Sequence, residues 1–548
     1  MKRLRKSPST FTLLLPILAV AGFAAVVFAA ARSPVGVSGK EVGAEIANLK
    51  PTVLVVDRTL AKEWKDVGAT PAAAAPDLLV LRRLSLALFG MIPSLEEIRS
   101  FEADTRPDRL DHWTRRMLAD PRFNDYFAER LARMVVGTEG GQFIIYRRDR
   151  FVEWLSRQLK DGVPWDQTVH SMLTQQGLST DRPAVNFVAA AINEGDIDEN
   201  KLAGRTARAF LGQRMDCAQC HDHPFAVWKQ EQFEGLASFF GQTKQTITGV
   251  EDMPVQNGVQ QEYKVQDRKT LKDRVVEPRV PFHSEWMPKE GSRREKLAAW
   301  ITHPENRRFE RAIANRVWGF VYGKPYLEPV DDLEDPKDGE TDMLDVLGKE
   351  FREKSYDLRR LVQTIVSSKA FRTSSEPPAG ADEKATYLSE CHWAVFPLIR
   401  LRPEQVIGSM LQSSSVQTVD YNSNLLFRLI RITRRNDFVK EYGDFGDDEL
   451  QLHGGTIPQR LLMMNGQLAA EVFEAGFFNP TSRLSVMNSS DEKCVENAYL
   501  VCLTRRPNPE ESIHFSGRLK DLRGGERQKA VEDMMWSLVN STEFSWNH

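Results

Sequence analysis

A chain of 548 residues with a net charge of -3 and 41% hydrophobic residues has apolar material for two or three domains with sizeable cores. The balanced charge gives no general argument for nucleic acid or anionic membranes, and basic clusters such as residues 431–435 lack the interleaved aromatics of a nucleic-acid surface. Five cysteines are too few for a disulfide scaffold, and Cys391, Cys494 and Cys502 read as small buried hydrophobes.

The chain opens on Lys2, Arg3, Arg5 and Lys6, followed by an uncharged apolar run over residues 11–31. A basic head on a membrane-seeking segment directs export. The run matches the roughly 20 residues that span a bilayer as a helix. Ala29-Ala30-Ala31 also fits a small-x-small cleavage site, so residues 1–31 read as a signal peptide or an N-terminal membrane anchor. In both cases the positive-inside rule places the chain after Arg32 in the periplasm or cell envelope. Residues 32–76, rich in Val, Ala and Pro, read as a tether.

From Asp77 the pattern becomes helical. Leu81, Leu84 and Leu88 share a face that ends at Gly90, and Ser94 with Glu97 forms a capping box after Pro93. Further helices are expected over residues 110–118, 123–136, 151–159, 165–173 and 199–211. This first helical domain covers residues 77–240.

Its pattern is interrupted by Cys217-Ala218-Gln219-Cys220-His221-Asp222-His223-Pro224-Phe225. Two thiols spaced C-x-x-C with a histidine directly after the second form the attachment pattern of c-type haem. In that chemistry the sulfurs become thioethers on the porphyrin edge and the adjacent imidazole ligates iron. Five cysteines and ten histidines placed independently would give this pattern in on the order of one such chain per thousand. Two other readings stay open. Cys217, Cys220, His221 and His223 are all ligand types for zinc, and Cys217 and Cys220 could simply form a disulfide. His223 is too close to His221 to reach the opposite face of the same iron, so the second axial ligand is sought in Met253, His283 or Met287, with Met253 preferred. Pro224 suits the first turn of a further helix, in which Trp228, Phe233, Leu236, Phe239 and Phe240 form an apolar face fit for a flat cofactor or for ordinary core.

Residues 241–290 change character, with short strands expected over residues 245–250, 260–265 and 275–280. Helical patterning resumes over residues 291–548. Leu297 and Trp300, then Phe309, Ile313, Val317 and Phe320, mark amphipathic stripes, the second ending near Gly323. Asp331-Asp332 and Glu334-Asp335 form an acidic corner without the spacing of an EF-hand loop, and read as a solvent-facing helix start. Leu118 to Phe123, Val366 to Phe371 and Val539 to Phe544 echo one another, each joining a helix end to an aromatic anchor. The fold class is therefore mainly α: two helical domains joined by a short β-containing insertion, behind an N-terminal membrane-targeting helix.

Several of these stretches, in this order, resemble a bacterial family characteristic of planctomycetes, the PSCyt/PSD type, built from two adjacent domains of unknown function. They are Leu81-Arg82-Arg83-Leu84, Gly90 with Pro93, Cys217 through Phe225, and Gly235-Leu236-Ala237-Ser238-Phe239-Phe240 for the first domain. For the second they are Arg293 through Trp300, Asn315-Arg316-Val317-Trp318, Val330-Asp331-Asp332, Tyr356-Asp357-Leu358, Thr456-Ile457-Pro458-Gln459 and Leu538 through Phe544. The resemblance implies an exported protein with cytochrome-like or sulfatase-like envelope partners, and no established reaction. The chain departs from the usual pattern in carrying one C-x-x-C-H and no separate cytochrome module, which argues against a multi-haem wire.

Three functions are expected on these grounds. The first is an exported, membrane-associated protein carrying one haem c at Cys217, Cys220 and His221, engaged in electron transfer. The second is an envelope structural or binding protein whose Cys/His cluster holds zinc, with His223 among the ligands, or a disulfide. A third, a glycan hydrolase, rests only on sulfatase-like neighbours in the family, since neither G-x-S-x-G nor H-E-x-x-H is present.

Overall fold

The computed structural model describes residues 49–138, 146–256, 258–267, 270–334, 341–415, 417–419, 439, 441–443, 450, 455–465 and 490–548. The basic head and apolar run, the first part of the expected tether (residues 32–48) and the basic cluster at residues 431–435 lie outside the described residues. No helix among the described residues is long and apolar enough to cross a membrane.

The protein is mainly helical. Helices expected over residues 110–118, 123–136, 151–159 and 165–173 are observed as Arg109–Ala119, Pro121–Val136, Arg148–Asp161 and Trp165–Thr174. The Ser94–Glu97 capping box is formed in both directions, with Glu97 N donating to Ser94 Oγ at 3.0 Å and Ser94 N to Glu97 Oε2 at 2.9 Å. The expected tether is helical from Lys50: the Lys50–Val67 helix buries Val56, Leu60 and Trp64, and Trp64 Nε1 donates to His392 O at 2.7 Å. Its apolar spacing is sparse, so tertiary packing holds it.

The Asp77–Phe89 helix is buried on every side, not on one stripe. Leu81, Leu84 and Leu88 enter one apolar cluster and Leu86 enters a second with Leu401, Val406, Ile407 and Met410. A helix buried all round is a core helix, even with Arg82 and Arg83 in it. It ends where Gly90 turns left-handed at φ 67°, a position where a Cβ would lie 2.3 Å from the Tyr126 ring.

The buried Arg82 and Arg83 act on chain ends. Arg83 donates to Phe371 O at 2.9 Å and Thr373 O at 2.6 Å, and Arg82 to Cys502 O and Phe544 O. Arg359 donates to Leu118 O and Leu159 O, and Arg294 to Leu173 O. Most of these carbonyls close helices, where a cation meets both the unpaired acceptor and the negative end of the helix dipole.

Between the helical halves lie three small hairpins, Thr243–Thr246 with Gly249–Asp252, Val255–Gln256 with Val259–Gln260, and Lys264–Gln266 with Asp273–Val275. The run expected as one strand over residues 245–250 is instead a turn and its flanks. The Thr246 hydroxyl bonds Gly249 O and Thr248 N and so closes the chain back on itself. Val250, Tyr263 and Val280 of this stretch are buried in the main cluster. That cluster runs from Val56 to Leu500, and residues 50–548 form a single compact unit.

Candidate functional site at the C-x-x-C-H turn

The approach to the motif is a helix from Glu199 to Thr206 that widens into a π-helical turn over Ala207–Leu211 and stops at left-handed Gly212. Gly212 and the two residues after it are clamped by the corner expected to face solvent. Leu333 N donates to Gly212 O at 2.8 Å, Gln213 Nε2 to Leu333 O at 2.6 Å, and Arg214 Nε to Asp331 Oδ1 at 2.7 Å. Asp331 is buried as a result. Its carboxylate matches the cationic side chain at Arg214, a pairing across 117 residues that no local pattern displays.

Gly204 lets Asp216 approach the helix, since a Cβ there would stand 2.6 Å from Asp216 Oδ1. Arg208 Nε then donates to Asp216 Oδ2 at 2.8 Å. From this anchor the chain makes one 3-10 turn over Asp216–Gln219. Cys217 lies in this turn and Cys220 follows it as the cap, while Ala218 is fully buried. Both thiols are free and exposed.

Asp222 organises the chain beyond the thiols. His221 Nδ1 lies 2.7 Å from Asp222 O, an atom that only accepts, so Nδ1 is the donor in this contact. The Asp222 carboxylate accepts from Gln230 N and Lys229 Nζ, both at 3.0 Å, which holds its pKa below the usual range, the Gln230 bond most strongly. His223 N donates to Trp228 O at 2.8 Å and Phe225 N to His223 Nδ1 at 3.2 Å, closing a loop over residues 223–228. Pro224 therefore sits in a loop, and the next helix begins at Gln230. The loop forms because Asp222 reaches forward to the first helical N–H, one of the donors that has no partner inside the helix.

The apolar face expected to be fit for a flat cofactor is ordinary core: Trp228, Phe233, Leu236, Phe239 and Phe240 are all buried in the main cluster. The exposed apolar groups beside the motif are Phe225, 96% exposed, and Val227, 74% exposed. Met253 is half-buried after the Gly249–Asp252 strand, its N–H donating to Gln242 O at 2.7 Å. That strand pairs with Thr243–Thr246, whereas the C-x-x-C turn packs on the Gln230–Ala237 helix. His283 bonds Glu285 Oε1 through Nδ1 at 2.7 Å and stacks on Trp286, and Met287 packs against the main cluster.

Cys391, expected to be buried, is exposed. It ends the Glu383–Cys391 helix, most of which faces outward, and its thiol bonds Tyr387 one turn earlier. Cys494 and Cys502 are buried. Among the described residues no three His, Cys, Asp or Glu side chains are grouped to hold a metal ion. At the turn itself two cysteines and a histidine are exposed, and these are the residue types from which two thioethers and one imidazole ligand to a haem would come.

Sequence reading singled out Cys217, Cys220 and His221 within a stretch running through Phe225, gave no role to Asp222 or Phe225, and did not include Val227. The signal available was a large apolar residue directly after proline in a stretch of polar and turn-forming residues.

The fold and the site together define a mainly helical protein that presents one exposed C-x-x-C-H turn. Residues 55–245 match the model of PSCyt2, a protein of unknown function (DUF1549), and residues 293–425 match that of PSD1, a protein of unknown function (DUF1553). The chain belongs to the family built from these two adjacent domains. No curated protein and no solved structure matches it.

Proposed function

We propose that the exported chain carries one c-type haem, which Cys217, Cys220 and His221 would hold, and that it passes single electrons in the cell envelope. The observation that carries this reading is a contrast among the family's motifs. Arg82, Arg83, Asp331 and Asp357 are engaged in helix ends and buried bonds, and Asn315 exchanges hydrogen bonds with the Leu327 backbone, both at 2.9 Å. Thr456 and Gln459 cap a helix. At the C-x-x-C-H turn Cys217, Cys220 and His221 are exposed instead.

Bound at this turn, haem would supply a one-electron iron couple. The Asp222 carbonyl accepts from His221 Nδ1 and so orients the ring. Asp216, held by Arg208, and Arg214, held by Asp331, keep the turn attached to the rest of the fold. Met253 is put forward as the residue that would supply a further ligand to the iron. Export is supported by the basic head and apolar run of residues 1–31, and cytochrome-like or sulfatase-like partners by the family resemblance.

The test is expression with export and the haem-maturation machinery. Wild-type protein is expected to keep a haem stain after denaturation and to show a sharp α band on reduction, and Cys217→Ser/Cys220→Ser to lose the denaturation-resistant stain. Colourless wild-type protein, carrying stoichiometric zinc or a Cys217–Cys220 disulfide, would establish an envelope binding or structural protein instead.

A further inference from the structure

The loop after the Trp165–Thr174 helix meets the hairpin of Thr243–Thr246 with Gly249–Asp252, and the two border a hollow of about 440 Å³. They are joined by a pair of backbone bonds, Gly177 N to Val250 O at 2.8 Å and Val250 N to Gly177 O at 3.0 Å. Gly249 permits that approach, since at φ 112° a Cβ there would stand 2.0 Å from Gly177 O. Behind the junction Arg294, 0% exposed, binds both sides: its Nη1 donates to Leu173 O at 2.9 Å and Gln175 O at 3.2 Å, and its Nε to Asp252 Oδ1 at 2.7 Å. The hollow is thus framed by bonds between three segments, and its volume lies in the range of small-molecule sites.

Its lining is polar and has bonding capacity to spare. Gln176 uses Oε1 on Asp252 N at 3.1 Å, which leaves its amide N–H groups without a partner among the described residues. Glu251 uses Oε1 on the Thr248 hydroxyl at 2.7 Å, and Asp252 uses Oδ1 on Arg294 and Thr243, so each carboxylate keeps one oxygen open. The exposed Asp181 and Arg182 side chains pair with each other at 3.6 Å. The edge of the Arg294 guanidinium that meets Asp252 also carries Nη2, which is buried with no partner. Two of the three carboxylates are therefore matched by an arginine, Asp181 by Arg182 and Asp252 by Arg294. Leu178, 48% exposed, is the apolar member of the lining, held in a turn by Asp181 N and Arg182 N, which both donate to its carbonyl.

We propose that this hollow binds a neutral saccharide of one or two sugar rings. The hydroxyls of a sugar ring each donate and accept, and Gln176, Arg182, Glu251 and Asp252 present donors and acceptors on planar side chains able to bond neighbouring hydroxyls in pairs. The C–H face of the ring is apolar and suits Leu178. Glu251, the carboxylate without an arginine, repels an anion and is too weak alone to retain a cation in water. The site does not involve the thiols, so it stands or falls apart from the haem reading.

The test is saturation-transfer NMR on the full chain, in a detergent without a sugar head group, with cellobiose, maltose, lactose, chitobiose and spermidine added one at a time. At least one disaccharide is expected to take up saturation from wild type. Asp181→Ala/Glu251→Ala is expected to bind it at least about tenfold more weakly, because hydrogen bonds to two charged groups are lost. Neither side chain is buried, so this variant is expected to keep the wild-type unfolding midpoint. Glu510→Ala/Glu526→Ala removes the same charge from two exposed positions in the Pro509–Leu519 and Gly524–Val539 helices, and is expected to bind as wild type. Transfer to none of the four disaccharides overturns the proposal, and transfer to spermidine alone would assign the hollow to cations and overturn it as well. Undiminished binding by Asp181→Ala/Glu251→Ala, or equal weakening in the control pair, would place the saccharide elsewhere and has the same consequence.

Discussion

Arg83 lies wholly inside the protein, its guanidinium directed at the carbonyls of Phe371, Thr373 and His548 and stacked 3.6 Å from the Phe396 ring centroid. Burial lowers its pKa to about 9, with Tyr322 opposing the shift. Glu310 shows the same force on an acid. It is 3% exposed, and burial pushes its carboxyl up to about 7 although Arg352 Nη1 stands 2.5 Å away. Between the ordinary value of 4.5 and about 7 the folded protein binds a proton there that the unfolded chain has lost, so stability falls as pH rises through that window. The effect is on the order of 3 kcal/mol. Urea unfolding at pH 5 and pH 8 is expected to show this fall in wild type and a smaller one in Glu310→Gln. An equal fall in both would exclude Glu310 as its source.

At the scale of elements, caps and carbonyl-binding arginines account for the motifs. The three echoing stretches share a physical purpose: Leu118 O accepts from Arg359, Phe371 O from Arg83 and Phe544 O from Arg82. Phe123, Phe371 and Phe544 are each fully buried beside these bonds. The Leu95–Ala103 helix begins at Ser94, whose hydroxyl also lies 2.9 Å from Thr418 Oγ1. Ser94→Ala is expected to cost about 1 kcal/mol, measured as a lower midpoint in chemical denaturation with the slope unchanged. A neutral substitution would mean that the cap is replaced by water at no cost.

At the scale of the whole molecule, the two family domains are units of sequence that share one core. Phe127 of the first meets Phe320 of the second edge to face at 5.6 Å, Arg359 closes helices of the first, and Asp331 holds Arg214 ahead of the thiols. Residues 50–245 expressed alone are therefore expected to show no cooperative thermal transition, because their apolar faces and helix ends would lack partners. A sharp transition and dispersed amide spectrum from that piece would show that the first half folds by itself.

The sequence by itself determined the helices with dense apolar periodicity, the Ser94–Glu97 cap and the C-x-x-C-H donors, because each is written in residues within a turn or two of one another. It left the Lys50–Val67 helix unread, since sparse periodicity is made good only by distant neighbours. It left the aromatic stripe after the motif open between cofactor cover and core, and packing decides for core while leaving Phe225 and Val227 exposed. Which carboxylates hold the motif was likewise a tertiary decision: Asp331 reaches Arg214 through folding, and attraction between charges depends on distance in space, not along the chain.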